Sequence, residues 1–422
     1  MKKSTLTLIL TFLSVAVAMA QHYVGGDISL LTKYEEHGAK YYDKSGKPCG
    51  DMLKFFSEQG HNAMRVRLFV NPENASATDK GQGVCQDLDY VVKLGKRIKD
   101  SGFAFMLDIH YSDSWADPAK QFTPSEWLSL SDEQLYKKIH DYTKDCLQKL
   151  KVSGATPDFI QTGNEISYGM LWGKEGGSYK SYYAGKSDNR ERFTNLLHNT
   201  IKACREECPM AKIILHTERV EQPAYSVSFY NDMKAANIDY DIIGLSYYPY
   251  YHGNLNSLTS VITNLETEFP DKKIMIVETG YFHHWQPKDV KYDFSSVWPI
   301  SDDGQNKFTT ALIEALKPHE GKVIGLFWWA MEMNEKGLDW GTQRVTDNWY
   351  NAGLFDNETG KATKSLTTLH SFLTKEQQAA IANPTIGKKQ YSDLSYNLSG
   401  QRVTDNHKGI IIKNRNKILN IR

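Results

Sequence analysis

The sequence predicts an α/β fold of the (β/α)8 TIM-barrel class with a short β-rich C-terminal appendage. Three features predict it. Between residues 26 and 374, eight short β-branched or aromatic runs alternate with longer stretches of helical periodicity. Those stretches end at residues that stop helices. The number of strand–helix repeats is that of a barrel. The runner-up, an open doubly wound sheet, favours a Gly-rich phosphate turn after its first strand, and no G-x-G-x-x-G stands there.

In chain order the predicted strands are Gly26–Ser29, Ala63–Val70, Ala104–His110, Phe159–Glu165, Ile213–Glu218, Ile242–Tyr248, Ile274–Thr279 and Val323–Ala330. The helical stretch Leu88–Ser101 stops at Gly102, and Asp132–Ser153 stops at Gly154. Arg190–Glu207 runs up to Pro209, and Val227–Ala236 ends at Asn237. Leu258–Phe269 meets Pro270, and Gln305–Leu316 ends just before Pro318. After about Phe372 the character changes. Residues 375–390 read as a polar linker, with Asn383-Pro384 and Gly387, and residues 391–422 give short apolar runs broken by Ser399-Gly400 and Lys408-Gly409. The barrel domain is therefore assigned to residues 21–374.

Residues 1–20 are set apart. Lys2 and Lys3 precede an apolar run from Leu6 to Val17 and then Ala18-Met19-Ala20, the pattern of a signal peptide. Thr5, Thr7, Thr11 and Ser14 interrupt a run already short of the roughly 18–20 residues that a membrane span needs. The expectation is secretion to the periplasm, the cell surface or the medium, with no membrane span. Of the 422 residues, 50 are Lys or Arg and 50 are Asp or Glu, which argues against a nucleic-acid partner that needs a basic excess. Five cysteines are too few for a disulfide framework in a chain of this length. Cys204 and Cys208 lack a second pair at zinc-like spacing; a Cys49–Cys85 bridge is left open.

In such a barrel the reactive groups project from the C-terminal strand ends. Here they are Arg67, His110, Asn164 with Glu165, His216, Tyr247 with Tyr248, Glu278, and Trp328 with Trp329. A barrel built for packing alone does not need two carboxylates there, each closing an apolar strand where a charge is costly to desolvate. Strands four and seven stand nearly opposite each other, so Glu165 and Glu278 face one another over a central cleft, the arrangement of glycoside hydrolysis. At a separation of about 5–5.5 Å, Glu278 attacks the anomeric carbon and Glu165 serves as acid and then base, giving retention. The acid needs a raised pKa from burial and nearby negative charge, whereas the nucleophile must stay ionised, a task the sequence reading gives to Arg67.

Asn164 is placed to donate to a sugar hydroxyl. Alternation puts Ser246 and Tyr248 on the face opposite Tyr247, with Tyr248 the hydroxyl next to the nucleophile. Trp329 rather than Trp328 is expected to stack on a sugar. His110 and His216 read as hydrogen-bonding histidines, since no acidic partners at metal-site spacing surround them.

Several segments then carry a resemblance. Gly25-Gly26-Asp27-Ile28-Ser29, Arg65-Val66-Arg67-Leu68-Phe69-Val70-Asn71-Pro72, the block Leu107-Asp108-Ile109-His110 through Asp113-Ser114-Trp115-Ala116-Asp117-Pro118, Gln161-Thr162-Gly163-Asn164-Glu165-Ile166 and Gly244-Leu245-Ser246-Tyr247-Tyr248-Pro249-Tyr250 resemble the family 53 glycoside hydrolases. So do Val277-Glu278-Thr279 and Phe327-Trp328-Trp329. The resemblance implies a secreted endo-β-1,4-galactanase on a TIM barrel, and a monomer that needs no organic or redox cofactor is expected. Such enzymes cut the galactan side chains of type I arabinogalactan in pectin. It implies Glu165 as acid/base, Glu278 as nucleophile, and Arg67, His110, Asn164, Tyr248 and Trp329 around the attacked galactose. Asp113 and Trp115 fall in the family's third-loop motif and are expected to contact sugar, with His216 and Ser246 completing the substrate-binding set.

The chain departs from the family pattern after Trp329, where Ala330-Met331-Glu332-Met333-Asn334-Glu335 replaces the expected Glu-Pro continuation. A structural Ca²⁺, bound by some bacterial members between the seventh and eighth loops, would draw on Asp302, Asp303 and Asn306. The tail from Tyr396 to Ile412 resembles the C-terminal β tails of secreted Bacteroidetes proteins. Two other functions stand beside the main one: a same-clan endo-β-glycanase acting on mannan or glucan, and a non-catalytic glycan-binding barrel.

Overall fold

The computed structural model describes residues 21–382 together with 395–397, 402–403, 409–413 and 416–420. Strands β1 (Tyr23–Asp27), β2 (Ala63–Leu68), β3 (Ala104–Ile109), β4 (Phe159–Thr162), β5 (Lys212–Thr217), β6 (Ile242–Tyr247), β7 (Lys273–Thr279) and β8 (Val323–Trp328) close in sequence order into a parallel barrel. Every one falls on a predicted run. Only the first is displaced: Tyr23 and Val24 pair with Gly325 and Leu326 of β8, whereas Ile28 and Ser29, which the sequence placed in the strand, lie beyond it. Six outer helices cover the predicted stretches: Leu88–Asp100, Asp132–Val152, Arg190–Glu207, Pro223–Ala235, Leu255–Glu268 and Asp302–Leu316. Their starts follow side-chain chemistry, as where Asp87 accepts from the Tyr90 N–H and Ser131 forms a reciprocal capping box with Gln134.

The barrel interior is layered, and the layers position the site. At the N-terminal end the inward residues are apolar, among them Ala63, Met106, Phe159, Ile214, Ile242 and Met275. Each large side chain buried in this way is worth about 1.5–3 kcal/mol. Two residues further along each strand the side chains again point inward, and there the layer turns polar: Asp27, Arg65, Asp108, Gln161 and His216 are all essentially inaccessible to solvent. A further two residues bring Arg67, His110 and Glu218 to the barrel mouth. The apolar plug therefore closes only the bottom of the barrel.

Strand β7 departs from plain alternation. Its register on β6 runs Leu245 to Ile276 and then Ser246 to Glu278, and on β8 it advances three residues, Ile276 to Thr279, against two on the partner. This bulge leaves Val277 in the inner apolar cluster and still brings its neighbour Glu278 to the mouth. Without the extra residue, consecutive side chains would face opposite sides and Glu278 would turn toward the helices.

Beyond the barrel, the first part of the predicted linker is a helix, Lys375–Ala382, as the run Lys375-Glu376-Gln377-Gln378-Ala379-Ala380 of strong helix formers favours. Gln377 clasps the backbone of His22 beside β1, accepting from its N–H at 3.1 Å and donating to its carbonyl at 2.8 Å. The strands Ser395–Asn397, Arg402–Val403, Gly409–Lys413 and Asn416–Asn420 form a four-stranded antiparallel sheet, matching the predicted β character of the tail. The expected signal peptide, residues 383–390 and the turns of the tail lie outside the described residues. Among the described residues no helix is long and apolar enough to cross a membrane. All five cysteines are free, so the Cys49–Cys85 bridge is absent.

The clasp yields a test. Gln377→Ala should lower stability by about 1–2 kcal/mol in urea denaturation, since it removes two hydrogen bonds to backbone groups; a midpoint equal to that of the parent would show that the helix contributes nothing to the barrel.

Candidate active site

At the C-terminal mouth a cavity of about 390 Å³ is walled by Glu165 and Glu218 on one side, Glu278 and Tyr248 on another, and Arg67 and Trp329 on a third. It holds both carboxylates that the sequence singled out. Their surroundings differ, and the difference begins one layer down.

Arg65 is completely buried, and its guanidinium donates to four acceptors. Nη1 reaches Asp27 at 3.1 Å, and Nη2 reaches Asp108 at 2.7 Å, Asn164 Oδ1 at 3.0 Å and Glu278 Oε1 at 2.8 Å. The second oxygen of Glu278 accepts from the Tyr248 hydroxyl at 2.9 Å. The expectation that Arg67 faces the nucleophile is thus corrected. Arg67 donates to Asp27 at 2.8 Å and packs against two indoles, its guanidinium carbon 4.8 Å from the Trp115 ring and 4.9 Å from the Trp329 ring. Its Nε and Nη2 are buried without a partner in the structure, which leaves them as donors at the cavity wall. The sequence signal for Arg65 was available: Arg65 and Arg67 lie two apart on one strand, so both face inward, and the deeper one lies nearer the acidic layer.

Glu165 is held differently. Gly163, at φ 99°, and Glu165, at φ 47°, both take left-handed backbone, and the chain then enters the short helical turn Ile166–Tyr168. Glycine suits the first position, because a Cβ there would come within 2.6 Å of Ile166 Cγ2. A left-handed glutamate is uncommon and marks local strain, of the kind found where a side chain is aimed for function. No cation reaches the Glu165 carboxyl among the described residues. Burial, then Glu278, then Glu218 push it well above the usual carboxylate range. Burial also raises Glu278, but there Arg65 opposes the rise. Of the two, Glu165 is pushed further toward its protonated form.

Both histidines are hydrogen-bonding supports. Nδ1 of His216 accepts from Gln161 at 2.9 Å and Nε2 lies 2.7 Å from the Ser246 hydroxyl, while burial and then Arg65 press its pKa well below normal. His216 and Ser246 therefore lie beneath the cavity floor rather than in its wall. Nδ1 of His110 accepts from the Ala116 N–H at 3.0 Å, and its Nε2 stands 3.0 Å from Asp108. Burial pushes Asp108 up, yet Arg65 and His110 outweigh it and hold the carboxyl at about 2. Asn164 lines the cavity with its oxygen on Arg65 and its amide on the Ala116 carbonyl at 2.8 Å.

Other predicted residues divide. Trp115 and Trp329 meet edge to face at 5.9 Å in the cavity wall, and Trp328 is fully buried, donating to the Ala352 carbonyl. Asp113 lies outside the wall: it accepts from Ser125 N–H at 2.9 Å and Asn74 at 3.2 Å, and so fixes the loop after β3. The calcium reading does not fit. Asp302 accepts from the Lys364 N–H, Asp303 pairs with the Lys364 ammonium and Asn306 accepts from Thr368, so their oxygens are spent on helix packing. Among the described residues no cluster of three or more metal-ligating side chains exists. The divergent eighth loop contributes Met333 and Trp349 to the wall, while Glu332 turns inward to accept from the Leu30 N–H at 2.7 Å. Sequence reasoning also missed Asp27, Asp108, Asp117 and Glu218, none of which closes an apolar run as abruptly as the two glutamates.

The buried network sets a stability test. Arg65→Met leaves Asp27, Asp108 and Glu278 without their shared cation, so unfolding free energy should drop by about 3–5 kcal/mol; a drop under about 1 kcal/mol would mean that Arg67 alone compensates these charges.

The comparisons with known proteins agree with this geometry. The family model described as glycosyl hydrolase family 53 matches residues 23–369. An endo-β-1,4-galactanase of Bacillus subtilis is 31% identical over 312 residues, 72% of this chain and 68% of that protein. An arabinogalactan endo-β-1,4-galactanase A of Aspergillus niger is 29% identical over 76% of this chain and 88% of that one. Among solved structures, the GH53 catalytic domain of Ignisphaera aggregans superposes with a TM-score of 0.73 at 29% identity, covering 84% of this chain and 97% of that domain. With a match that spans the whole barrel, the chain belongs to glycosyl hydrolase family 53 and is a glycoside hydrolase.

Proposed function

We propose that this enzyme is a retaining endo-β-1,4-galactanase that cuts internal bonds of pectic galactan, the side chain of type I arabinogalactan, and releases galacto-oligosaccharides. The observation that carries the reading is the unequal pair in one cavity: Glu278 bonded to Arg65 and Tyr248, and Glu165 with burial and two neighbouring carboxylates against it. An ionised carboxylate facing a protonated one is what double displacement requires. Glu278 attacks the anomeric carbon while Glu165 gives its proton to the departing glycosidic oxygen. Glu165, now a carboxylate, then takes a proton from the water that breaks the galactosyl ester, which restores both groups. Two further groups assist. The unpartnered Arg67 donors bind sugar hydroxyls near the reacting ring, and Trp329, with Trp115, offers an aromatic surface to a sugar face.

The substrate follows the family relatives, two of which are named for β-1,4-galactan cleavage. An endo mode fits a cavity open at the barrel mouth with Trp349 and Met333 extending its wall. The leading twenty residues make it a secreted protein, acting as a monomer in the periplasm, at the cell surface or outside the cell. A binding-only role is disfavoured, because the left-handed backbone at Glu165 aims a protonated carboxyl that a mere binder does not need.

Debranched pectic galactan, with mannan and glucan as controls, tests this. The wild type should release short galacto-oligosaccharides with the β configuration retained at early times by NMR, and Glu165→Gln and Glu278→Gln should each lower kcat by about 10³-fold or more. Inverted product would refute the mechanism, cleavage of mannan or glucan alone would refute the substrate, and full activity in either variant would remove that residue from its role.

A further inference from the structure

A third carboxyl stands in the cavity beside Glu165, and the double-displacement scheme gives it no task. Glu218 follows β5 directly, on the inward face it shares with Ile214 and His216, and is 7% exposed. Its Oε2 accepts from the Ser167 hydroxyl at 2.5 Å. Ser167 lies two residues beyond Glu165, inside the turn Ile166–Tyr168 that fixes the left-handed backbone of the acid. The other oxygen, Oε1, is buried with no hydrogen-bond partner in the structure, in a residue that lines the cavity. A buried, unpaired carboxyl oxygen is expensive unless it has a use.

The cation next in sequence does not neutralise it. Arg219 places its guanidinium carbon 5.0 Å from the Tyr168 ring and 5.3 Å from the Tyr225 ring, bonds the Tyr168 hydroxyl and Gln222, and forms no ion pair with Glu218 among the described residues. The two cations that line the same cavity are held by other carboxylates, Lys120 by Asp79 at 3.1 Å and Arg67 by Asp27 at 2.8 Å, and the remaining groups near the Glu165–Glu218 pair are acidic or neutral. Asp117 comes from the loop after β3, Glu278 from β7 and the Tyr248 hydroxyl from β6, with neutral His216 below on β5. His252, from the segment after β6, is neutral as well, because burial lowers it to about 4.

We propose that Glu218 is a positioning residue for the proton donor: through Ser167 it ties down the turn that carries Glu165, and its carboxylate, facing the acid across the cavity wall, delays the loss of the acid's proton as pH rises. This rests on the reading of Glu165 as acid/base. Burial raises Glu218 itself to about 7, so it gains charge near neutrality, and that charge is among the causes that lift Glu165. The sign follows. A carboxyl whose neighbour becomes negative holds its proton to higher pH, so removing the neighbour's charge must bring the basic limb of activity down.

The test is the pH profile of kcat/KM on galactan for Glu218→Gln, Glu218→Asp and Ser167→Ala beside the wild type. Glu218→Gln keeps the shape and removes the charge; its basic limb should move down by about half a pH unit or more, with activity at pH 8 falling several-fold further than at the optimum. Glu218→Asp should restore the limb toward wild type. Ser167→Ala keeps the charge but cuts the tie, so kcat should fall at every pH, by about tenfold, with the limb and KM little changed. Superimposable limbs in Glu218→Gln and wild type would overturn the charge role, and a KM rise without loss of kcat in either variant would make Glu218 a sugar contact instead. If Glu218→Gln does not fold, Glu218→Ala takes its place for the limb and Ser167→Ala tests the tie, since a purely structural Glu218 predicts an unshifted limb in the first and an unchanged kcat in the second. Failure of the underlying reading looks different: Glu165→Gln would then keep the basic limb of the wild type.

Discussion

One buried guanidinium organises the active end of this barrel. Arg65 touches Asp27 from β1, Asp108 from β3, Asn164 after β4 and Glu278 from β7. With Arg67 on the same strand, it compensates three carboxylates in a region almost closed to water. Desolvating such charges costs several kcal/mol each, and the cost is met only when geometry and hydrogen bonding are both good. The return is selectivity between two carboxyls in one cavity. Glu278 is tied to the shared cation and Glu165 is not, so burial acts on both but is opposed by a cation only at Glu278.

The rest of the architecture serves that inequality. An apolar layer plugs the barrel below, a polar layer of Asp27, Arg65, Asp108, Gln161 and His216 lies above it, and Glu165 and Glu278 sit above that. Two local breaks in regular backbone aim the two glutamates: the bulge in β7 that turns Glu278 inward after Val277, and the left-handed pair Gly163 and Glu165 that ends β4. The aromatic walls complete the cleft. Arg67 packs against both Trp115 and Trp329, which meet edge to face, so a cation and two indoles form one cluster in the wall.

Much of this was legible in the sequence, and what was not had physical reasons. Strand positions and helix ends followed from periodicity and from stop residues such as Gly102, Gly154 and Pro270. The two glutamates stood out because each closes an apolar run. The start of the first strand was missed because only Tyr23 and Val24 carry strand character there, and Gly25-Gly26 directly after them weakens any strand pattern. Arg65 was passed over in favour of Arg67 because attention went to the strand ends, although alternation puts both arginines on the inward face and Arg65 one layer deeper. Glu218 was passed over because its strand end looked ordinary beside His216, and its contact with Ser167 spans 51 residues of sequence. Asp113 shows the converse, a motif residue whose carboxylate fixes a loop rather than facing the cavity.

The division of labour in this cavity turns on which carboxyl carries the sugar. The direct measurement is peptide mass spectrometry after incubation with an activated 2-deoxy-2-fluoro-β-galactosyl analogue, whose fluorine slows hydrolysis of the ester formed on the nucleophile. A single adduct is expected on the peptide holding Glu278, prevented by excess galacto-oligosaccharide. An adduct on Glu165 or Glu218, or an active enzyme that never acquires one, would contradict Glu278 as the nucleophile.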